Sequence, residues 1–307
     1  MGPHVMCTRP TGEAMAILQS IAYVFVTAST CALVAVGLSL TARTARFFNF
    51  AQGATFTIGA YLTYLCQVQF KIGILLAVLI AAAGGGMLGL LMELGVFRHV
   101  RRRDGSPLVL LLCSLGLYVV LQNMVSMIWG DQLRTPRPSH FYSELTLAGI
   151  HLTGFQILTI LGAVVLSAFV TLALYRSLFG KAIRAVASDL ELSRTVGVNP
   201  DSVILSVLVF SSVLAAFAGA LGGLDLSLTP TMGMGPLLTG MAAVIIGGKR
   251  PVVGVLVASL ALGITKALAV WLFGSRWQES IAFFILMAVL LLQPLRRDQK
   301  SVSPVGS

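Results

Sequence analysis

The chain has 307 residues, of which 57% are hydrophobic and only 10% are charged. Soluble domains carry about 25% charged residues, so this composition excludes an ordinary soluble protein and predicts a polytopic membrane protein. The net charge of +10 does not indicate nucleic-acid binding. The basic residues form short clusters between apolar runs, and this is the pattern of cytoplasmic loops in membrane proteins.

Apolar segments follow one another along almost the whole sequence, and a helix needs about 20 apolar residues to cross a bilayer. Eight segments are about this long, and a ninth, 236–248, is shorter. Its helix would rise about 20 Å, whereas the hydrocarbon core is about 30 Å thick. We therefore expect this segment to be a half-helix enclosed by protein. The predicted fold is therefore an all-α membrane bundle with eight or nine spanning segments. Its single transmembrane domain, 15–295, is expected to lie between an N-terminal tail, 1–14, and a C-terminal tail, 296–307. The eight longer segments are 17–40, 50–67, 72–96, 107–129, 155–175, 200–224, 251–273 and 278–294.

Basic residues are distributed unevenly between the two sides of this bundle. Fifteen of the 21 lysines and arginines fall in loops on one side, five fall on the other, and Lys266 lies within a segment. Cytoplasmic loops carry the excess of basic residues, so we expect the first side to be cytoplasmic, with the N-terminus outside and the C-terminus inside. That orientation requires an odd number of crossings, so segment 236–248 is expected to cross. The fifteen residues are Arg43, Arg46, Arg98, Arg101, Arg102, Arg103, Arg176, Lys181, Arg184, Arg194, Lys249, Arg250, Arg296, Arg297 and Lys300.

The cysteines and histidines show no spacing that is typical of a metal centre or a catalytic site. The four cysteines contain no CxxC pair, and the four histidines are scattered through loops. We therefore expect no metal, no disulfide framework and no cofactor. The polar loops also lack a paired acid and base, which argues against a membrane enzyme.

The most informative loop runs from Gly180 to Val198, on the predicted cytoplasmic side. Its apolar residues follow the spacing i, i+3, i+4, i+7, which predicts a short amphipathic helix with one apolar stripe. Gly197 is placed to end the helix, since glycine readily adopts the left-handed conformation found after helix C-termini. A helix of this kind needs a partner or lies along the headgroups. The stripe consists of Ile183, Val186, Ala187 and Leu190.

This loop resembles the ATPase-coupling segment of the branched-chain amino acid ABC transporter permeases. The family pattern is Gly-basic-Ala-x-Arg-Ala-x-Ala-x-Asp, followed by a Gly-Ile or Gly-Val pair before the next membrane helix. The residues that fit it are Gly180, Lys181, Ala182, Arg184, Ala185, Ala187, Asp189, Gly197 and Val198.

Other motifs extend the resemblance over essentially the whole chain. Asn49-Phe50-Ala51-Gln52-Gly53 and Gly59-Ala60-Tyr61 are similar to the family's Asn-Phe-Ala-His-Gly and Gly-Ala-Tyr signature. Leu121-Gln122-Asn123 and Gly247-Gly248 match in order and spacing. The length of the chain suits the shorter of the family's two membrane subunits.

The resemblance implies one membrane subunit of an importer, paired with a longer homologous permease. An extracytoplasmic binding protein would deliver the amino acid, and two cytoplasmic ATPases would supply energy. The sequence has no GxxxxGK[ST] phosphate loop, so ATP hydrolysis is expected in the partner subunits and no enzyme activity in this chain. The implied coupling residues are Gly180, Lys181, Ile183, Arg184, Ala185, Val186, Ala187, Asp189, Leu190 and Gly197.

Polar and small residues within the spans are candidates for the substrate path, namely Asn49, Gln52, Gly53 and Asn123. Hydrogen bonds that hold helices together are the alternative explanation. The sequence departs from the family here, because Gln52 stands where a histidine is common and Ala54 where a glutamate is common. We therefore do not expect proton coupling at this position.

Two more departures concern basic residues. The family's Gly-Gly-x-Gly-Ser turn is replaced by a stiffer and more cationic sequence, 247–251, and Lys266 stands where the family tends to carry an acid. A lysine within a span costs about 3 kcal/mol on insertion scales. We expect Lys266 either to extend toward the headgroups or to pair with Asp225 or Glu279, the acidic residues expected near the outer side.

Two other functions remain open from the sequence alone. The same machinery could import urea or short amides, since nothing in the apolar spans separates these cargoes. A secondary transporter or channel is the alternative from another class. The sequence Leu-Ser-Leu-Thr precedes both segment 50–67 and segment 236–248, which are expected to run in opposite directions, and inverted repeats of this kind are common in such proteins.

Overall fold

A computed structural model describes the backbone of residues 10–103, 105–133, 145–147, 150–152, 154–225, 228–248 and 252–274, together with residues 280, 283, 284 and 287. Side chains are described from Val24 onward, with gaps. The predicted last span, 278–294, therefore lies largely outside the described residues, and the C-terminal tail lies wholly outside them.

The described residues form a helical bundle, which confirms the predicted fold class. Five helices are long and apolar enough to cross a membrane: Val24–Thr44, Ile74–Arg102, Pro107–Trp129, Gln156–Arg176 and Pro200–Leu224. The elements in chain order are α1 Pro10–Thr44, α2 Ala51–Val68, α3 Ile74–Met92, a π-helical turn Glu93–Phe97, α4 Arg98–Arg102, α5 Pro107–Trp129, β1 Leu145–Leu147, β2 Ile150–Leu152, α6 Gly154–Arg176, α7 Leu178–Ser188, α8 Leu190–Thr195, α9 Pro200–Asp225, α10 Met234–Gly247 and α11 Val253–Phe273.

The helix bounds agree with the predicted segments to within a few residues, except at the N-terminus. There α1 begins at Pro10, so residues 10–14 are helical although we expected them in the tail. The loop between α5 and α6 also contains an antiparallel hairpin that the sequence did not predict, in which Leu145 pairs with Leu152. Three residues per strand leave almost no periodicity from which to predict a strand.

The centre of the bundle is α9, which packs most extensively against α3, α2 and α1. Glycine makes this close approach possible. A Cβ atom on Gly219 would overlap the carbonyl oxygen of Phe56 in α2, and one on Gly85 of α3 would overlap Ala216. The glycine-rich segment 84–89 therefore packs mainly against α9, and the glycine-rich segment 219–223 packs mainly against α2, within this one chain.

Three hydrogen-bonded contacts bring the basic loops together at one end of the bundle, called here the basic end. Arg43 at the end of α1 donates to the carbonyl of Gly248 after α10. Arg46 donates to the carbonyl of Ser188 in α7 over 3.3 Å. The third contact joins Arg101 of α4 to Asp201 of α9. The predicted grouping of the basic residues in these loops on one side is thus confirmed.

The short segment forms α10, a helix of 14 residues. It begins inside the bundle, beside the first turns of α2. The Gly233 N–H donates to Thr57 Oγ1 over 3.1 Å, and a Cβ atom on Gly233 would overlap the carbonyl of Gly53. The start of this short helix is therefore enclosed by protein, as a half-helix requires.

Candidate functional site: the coupling segment and the polar groups between the helices

The predicted coupling segment folds into two short helices, α7 and α8, between α6 and α9. Ser177 caps α7, its Oγ accepting from the Gly180 N–H over 2.9 Å. Asp189 has an extended backbone and caps α8, its Oδ1 accepting from the N–H groups of Glu191 and Leu192 over 2.8 and 3.2 Å. Asp189 thus divides what the periodicity predicted as one helix, since a side chain that binds two free N–H groups stabilises a helix start.

Two glycines shape the segment. A Cβ atom on Gly180 would overlap the carbonyls of Ala173 and Leu174, so only glycine allows α7 to fold back so closely on α6. Gly197 has a φ of 85° and follows α8, where the Val198 N–H donates to the carbonyl of Ser193 over 3.0 Å. The prediction that Gly197 ends the helix is confirmed.

The apolar stripe of the segment points into the bundle. Val186 is 0% exposed and Ile183 is 7% exposed, and both belong to the main core cluster with Leu174 of α6 and Val203 of α9. In this structure they have almost no surface to offer another protein. Periodicity indicated that the stripe needs a partner, and within this chain that partner is the helical bundle itself.

The accessible apolar side chains of the segment lie elsewhere. Leu192 is 62% exposed and Val196 is 76% exposed, and both lie in or just after α8 at the basic end. The charged residues Glu191 and Arg194, also exposed, flank them. This pair was not predicted from the sequence, because Leu192 and Val196 lie off the apolar stripe that the periodicity marks.

Asn49 and Gln52 are buried and hydrogen-bonded to helix backbones or side chains. The Asn49 Oδ1 accepts from the Ala51 N–H at the start of α2 over 3.1 Å. The Gln52 amide nitrogen donates to the carbonyls of Val34 and Ser211 over 3.3 and 3.4 Å, and its oxygen accepts from the Ser211 hydroxyl over 3.0 Å. Gln52 therefore joins α1, α2 and α9, and this geometry favours a packing role for the amide.

Gly53 lies where α2, α5 and the start of α10 meet. A Cβ atom there would lie 3.1 Å from Leu237 and 3.3 Å from Tyr118. Asn123 lies apart from these groups, about nine residues or 13 Å along α5 from Ser114, whose hydroxyl accepts from the N–H of Phe50 next to Asn49. Its side chain is exposed and donates to the carbonyl of Val119 over 2.7 Å. The structure thus brings Asn49, Gln52 and Gly53 together but not Asn123.

A carboxylate in the π-helical turn directly after α3 is paired at the basic end. Glu93 is 0% exposed and accepts from Arg101, which also binds Asp201 over 3.2 Å. Glu93 precedes the basic cluster that begins at Arg98, and its partner is Arg101 of that cluster. Asp201 was missed, since it lies 100 residues further along the chain than Arg101.

Lys266 is 5% exposed, which places it inside the bundle and not along its outer surface. It belongs to α11, which packs against α1 and α10. The side chains of its expected partners, Asp225 and Glu279, are outside the described residues, so the ion pair stays a prediction.

The other basic departure from the family pattern lies at the end of α10. A Cβ atom on Gly247, the last residue of α10, would lie 2.8 Å from the Gly254 carbonyl carbon. Residues 249–251 are outside the described residues.

A groove of about 600 Å³ runs between α1, α6 and α11. Its lining is mainly apolar, and it contains none of the substrate-path candidates Asn49, Gln52, Gly53 and Asn123. We therefore do not assign it to the transport path.

Comparison with known proteins gives a family match over most of the chain. The profile of the family described as "Branched-chain amino acid transport system / permease component" matches residues 20–291. The high-affinity branched-chain amino acid permease protein BraD of Pseudomonas aeruginosa is 28% identical over 279 residues, covering 87% of this chain and 90% of its own length.

Two further relatives are informative. A probable branched-chain amino acid permease protein LivH of Methanocaldococcus jannaschii is 25% identical and covers 92% of this chain and 91% of its own length. The fructose import permease protein FrcC of Rhizobium meliloti is 31% identical, but it covers only 44% of this chain and 41% of its own length. No solved structure matches the chain.

Proposed function

Because the chain belongs to the family of branched-chain amino acid transport permeases, we propose that it conducts branched-chain or related amino acids into the cytoplasm as one membrane subunit of an ABC importer. The observation that carries this proposal is the family match over residues 20–291. It is supported by the α7–α8 segment, a structured element at the basic end that exposes apolar and charged side chains to a partner. Energy would come from separate ATPase subunits.

The composition of the complex tests this proposal. The chain should copurify from mild detergent with two ATPase subunits, a second permease and, under loading conditions, an extracytoplasmic binding protein. Recovery of the chain without any ATPase, from membranes that support uptake, would contradict it. A channel or secondary transporter needs no such subunits.

Within this complex, Leu192 and Val196 would form the apolar part of the ATPase contact, with Glu191 and Arg194 around it. An apolar pair exposed to water at the end of a bundle is typical of a protein interface, where buried apolar anchors are surrounded by polar groups. Ile183, Val186 and Leu190 would support this contact from beneath, by fixing α7 and α8 on the bundle. The coupling role predicted for the segment is thereby kept, with its contact surface on the opposite face.

Aspartate variants distinguish the exposed contact residues of the segment from the buried residues that support them. Leu192→Asp with Val196→Asp should leave the amount of folded chain in the membrane unchanged and abolish ATPase recovery in a pull-down. Val186→Asp should instead lower the amount of folded chain, because it buries a charge. Leu108→Asp is the matched control, since Leu108 is 65% exposed near the basic end and belongs to α5. Normal ATPase recovery with the Leu192 and Val196 variant would contradict this contact.

The second permease requires a contact face, and the glycine-rich segments do not supply one because they pack within this chain. We place the contact on α5, whose exposed residues Leu112, Gly116, Val119 and Asn123 follow the spacing 4, 3, 4. That spacing is typical of a helix-pairing seam, and a polar residue such as asparagine within the seam fixes its register. Space around Gly116 is open, with nothing within 4 Å of a Cβ atom built there.

The native mass of the complex tests this assignment. We expect one copy of this chain, one longer homologous permease and two ATPases. Gly116→Leu should release the second permease, whereas Gly95→Leu, at another glycine with open surroundings, should not. A mass that fits only two copies of this chain, together with full uptake, would overturn the heterodimer.

The cargo is proposed from the family match and is testable by competition. Uptake of labelled leucine by the reconstituted complex should be inhibited by valine and isoleucine, but not by urea, acetamide or fructose. Inhibition by urea or acetamide would favour the alternative cargo from the sequence analysis. Inhibition by fructose would favour a cargo like that named for FrcC.

The orientation is likewise proposed: a cytoplasmic membrane protein with its N-terminus outside and its C-terminus inside, which places the basic end in the cytoplasm. A cysteine introduced at Ser301 of a cysteine-free variant should react with an impermeant maleimide only after the membrane is opened. Reaction in intact cells would reverse the assigned orientation.

A further inference from the structure

A buried carboxylate lies at the end of α3 that faces the coupling segment. Glu93 is 0% exposed and begins the π-helical turn Glu93–Phe97, which separates α3 from α4. Single π-helical turns within α-helices are rare and occur frequently at functional sites. Arg101, eight residues later, donates to Glu93 Oε1.

The same guanidinium also holds the first turn of α9. Its Nε and Nη2 atoms both donate to Asp201 Oδ1, over 3.3 and 3.2 Å. Asp201 is the second residue of α9, and its own N–H donates to Asn199, directly after the coupling segment. In the part of the chain that the structure describes, the two ion pairs found share this one arginine.

The network is incompletely satisfied. Glu93 Oε2, Arg101 Nη1 and Arg98 Nε are buried and have no hydrogen-bond partner among the described residues. The Glu93–Arg101–Asp201 group also carries two negative charges and one positive charge. A half-satisfied buried network is a poor source of stability, so stability alone does not explain it. The free donors and acceptor offer a second set of pairings if α4 and α9 move relative to each other.

The position of the network connects the coupling segment to the spanning helices. Asp201 lies in the first turn of α9. This helix contacts α7 and α8 and packs against α1, α2 and α3. A force applied to α7–α8 therefore reaches α9 directly, as it also reaches α6. Through Arg101 it reaches α3 as well, because this arginine links the two helices at the end where the force enters.

We propose that the Glu93–Arg101–Asp201 network is a coupling clamp, in which Arg101 is a positioning residue that makes the start of α9 and the end of α3 move together when the ATPases close. The clamp rests on the proposed function, since it presupposes ATPases at the basic end. It adds a transmission role for three residues outside the segment that contacts the ATPases. Without the clamp, α9 would move while α3 stays, and ATP would be hydrolysed without transport.

The test uses the full complex in proteoliposomes and measures ATP hydrolysed per molecule of cargo taken up. Asp201→Asn weakens the Arg101–Asp201 link and leaves Glu93 paired. We expect the ratio of ATP to cargo to rise about tenfold, a typical size for the coupling between two sites, while ATPase recovery in a pull-down stays at the wild-type value. A purely structural role would lower hydrolysis and uptake together.

Two further variants keep the test decisive if one of them folds poorly. Arg101→Met leaves Glu93 buried without its partner, so the double variant Glu93→Gln with Arg101→Met is used to restore neutrality. It should accumulate normally and show the same raised ratio. Arg101→Lys should give an intermediate ratio, because an ammonium lacks the planar fork that binds two carboxylates at once. Arg102→Met, the exposed neighbour on α4, is the control and should keep the wild-type ratio.

The outcomes separate the clamp from the proposed function. In one outcome, uptake by the wild-type complex depends on ATP hydrolysis, but the ratio of ATP to cargo is unchanged in both Asp201→Asn and the double variant. That result would overturn the clamp alone. A wild-type complex that takes up cargo without ATP would overturn the proposed function and the clamp with it.

Discussion

The helices α5 and α9 are both long, apolar and capable of crossing a membrane, yet they are used differently. In its most apolar stretch, 67% of α9 is buried within this chain, against 22% of α5. The difference follows from small residues. α9 carries Gly219 and Gly223 where other helices touch it, whereas α5 directs large side chains such as Met127 and Ile128 outward. Hydropathy identifies a span, but residue size determines which spans form the centre.

The largest effect is expected where α9 is most crowded. Gly219→Leu would force side-chain atoms into the Phe56 carbonyl, and we expect a loss of more than about 4 kcal/mol of stability, enough to prevent accumulation of the folded chain. Gly116→Leu on α5 should accumulate normally in the membrane. The measurement is the amount of each variant recovered in monodisperse form from membranes. Equal recovery would show that α9 is not the closely packed centre.

The far end of α9 is tested through Lys266. If the buried lysine pairs with Asp225, the last residue of α9, then Lys266→Met should cost about 3 kcal/mol by leaving the carboxylate unpaired. The double variant with Asp225→Asn should recover much of that loss, and Asp225→Asn is also measured alone. Glu279→Gln, alone and combined with Lys266→Met, tests the other candidate. Thermal stability and uptake are measured for all five variants, and simple additivity in both double variants would show that neither acid is the partner.

Buried and exposed amides give a smaller contrast. Gln52→Leu removes hydrogen bonds between α1, α2 and α9 and leaves the buried Ser211 hydroxyl without this partner, so we expect a loss of about 2 kcal/mol. Asn123→Leu, on the exposed face of α5, should change the stability of the isolated subunit by less than about 0.5 kcal/mol. Thermal unfolding in detergent compares the two. If Asn123 costs as much as Gln52, its face of α5 is covered within this chain.

Much of the fold was predictable because each span is a continuous apolar run with polar ends. Gly197 was predictable for a local reason, since the turn after α8 requires a positive φ. The direction of the Ile183 and Val186 stripe was not, because periodicity reports that a face is covered but not by what. The link between Arg101 and Asp201 was also missed, since it depends on how distant segments meet in three dimensions.

The central claim is that this chain is a permease driven by ATPases through its basic end, and uptake by the reconstituted complex tests it most directly. Labelled leucine and the binding protein are supplied outside the proteoliposomes, and ATP is supplied inside them. Uptake should then occur, and it should stop when ATP is replaced by a non-hydrolysable analogue or when the chain carries both Leu192→Asp and Val196→Asp. Full uptake driven by an ion gradient in the absence of ATP would contradict the account.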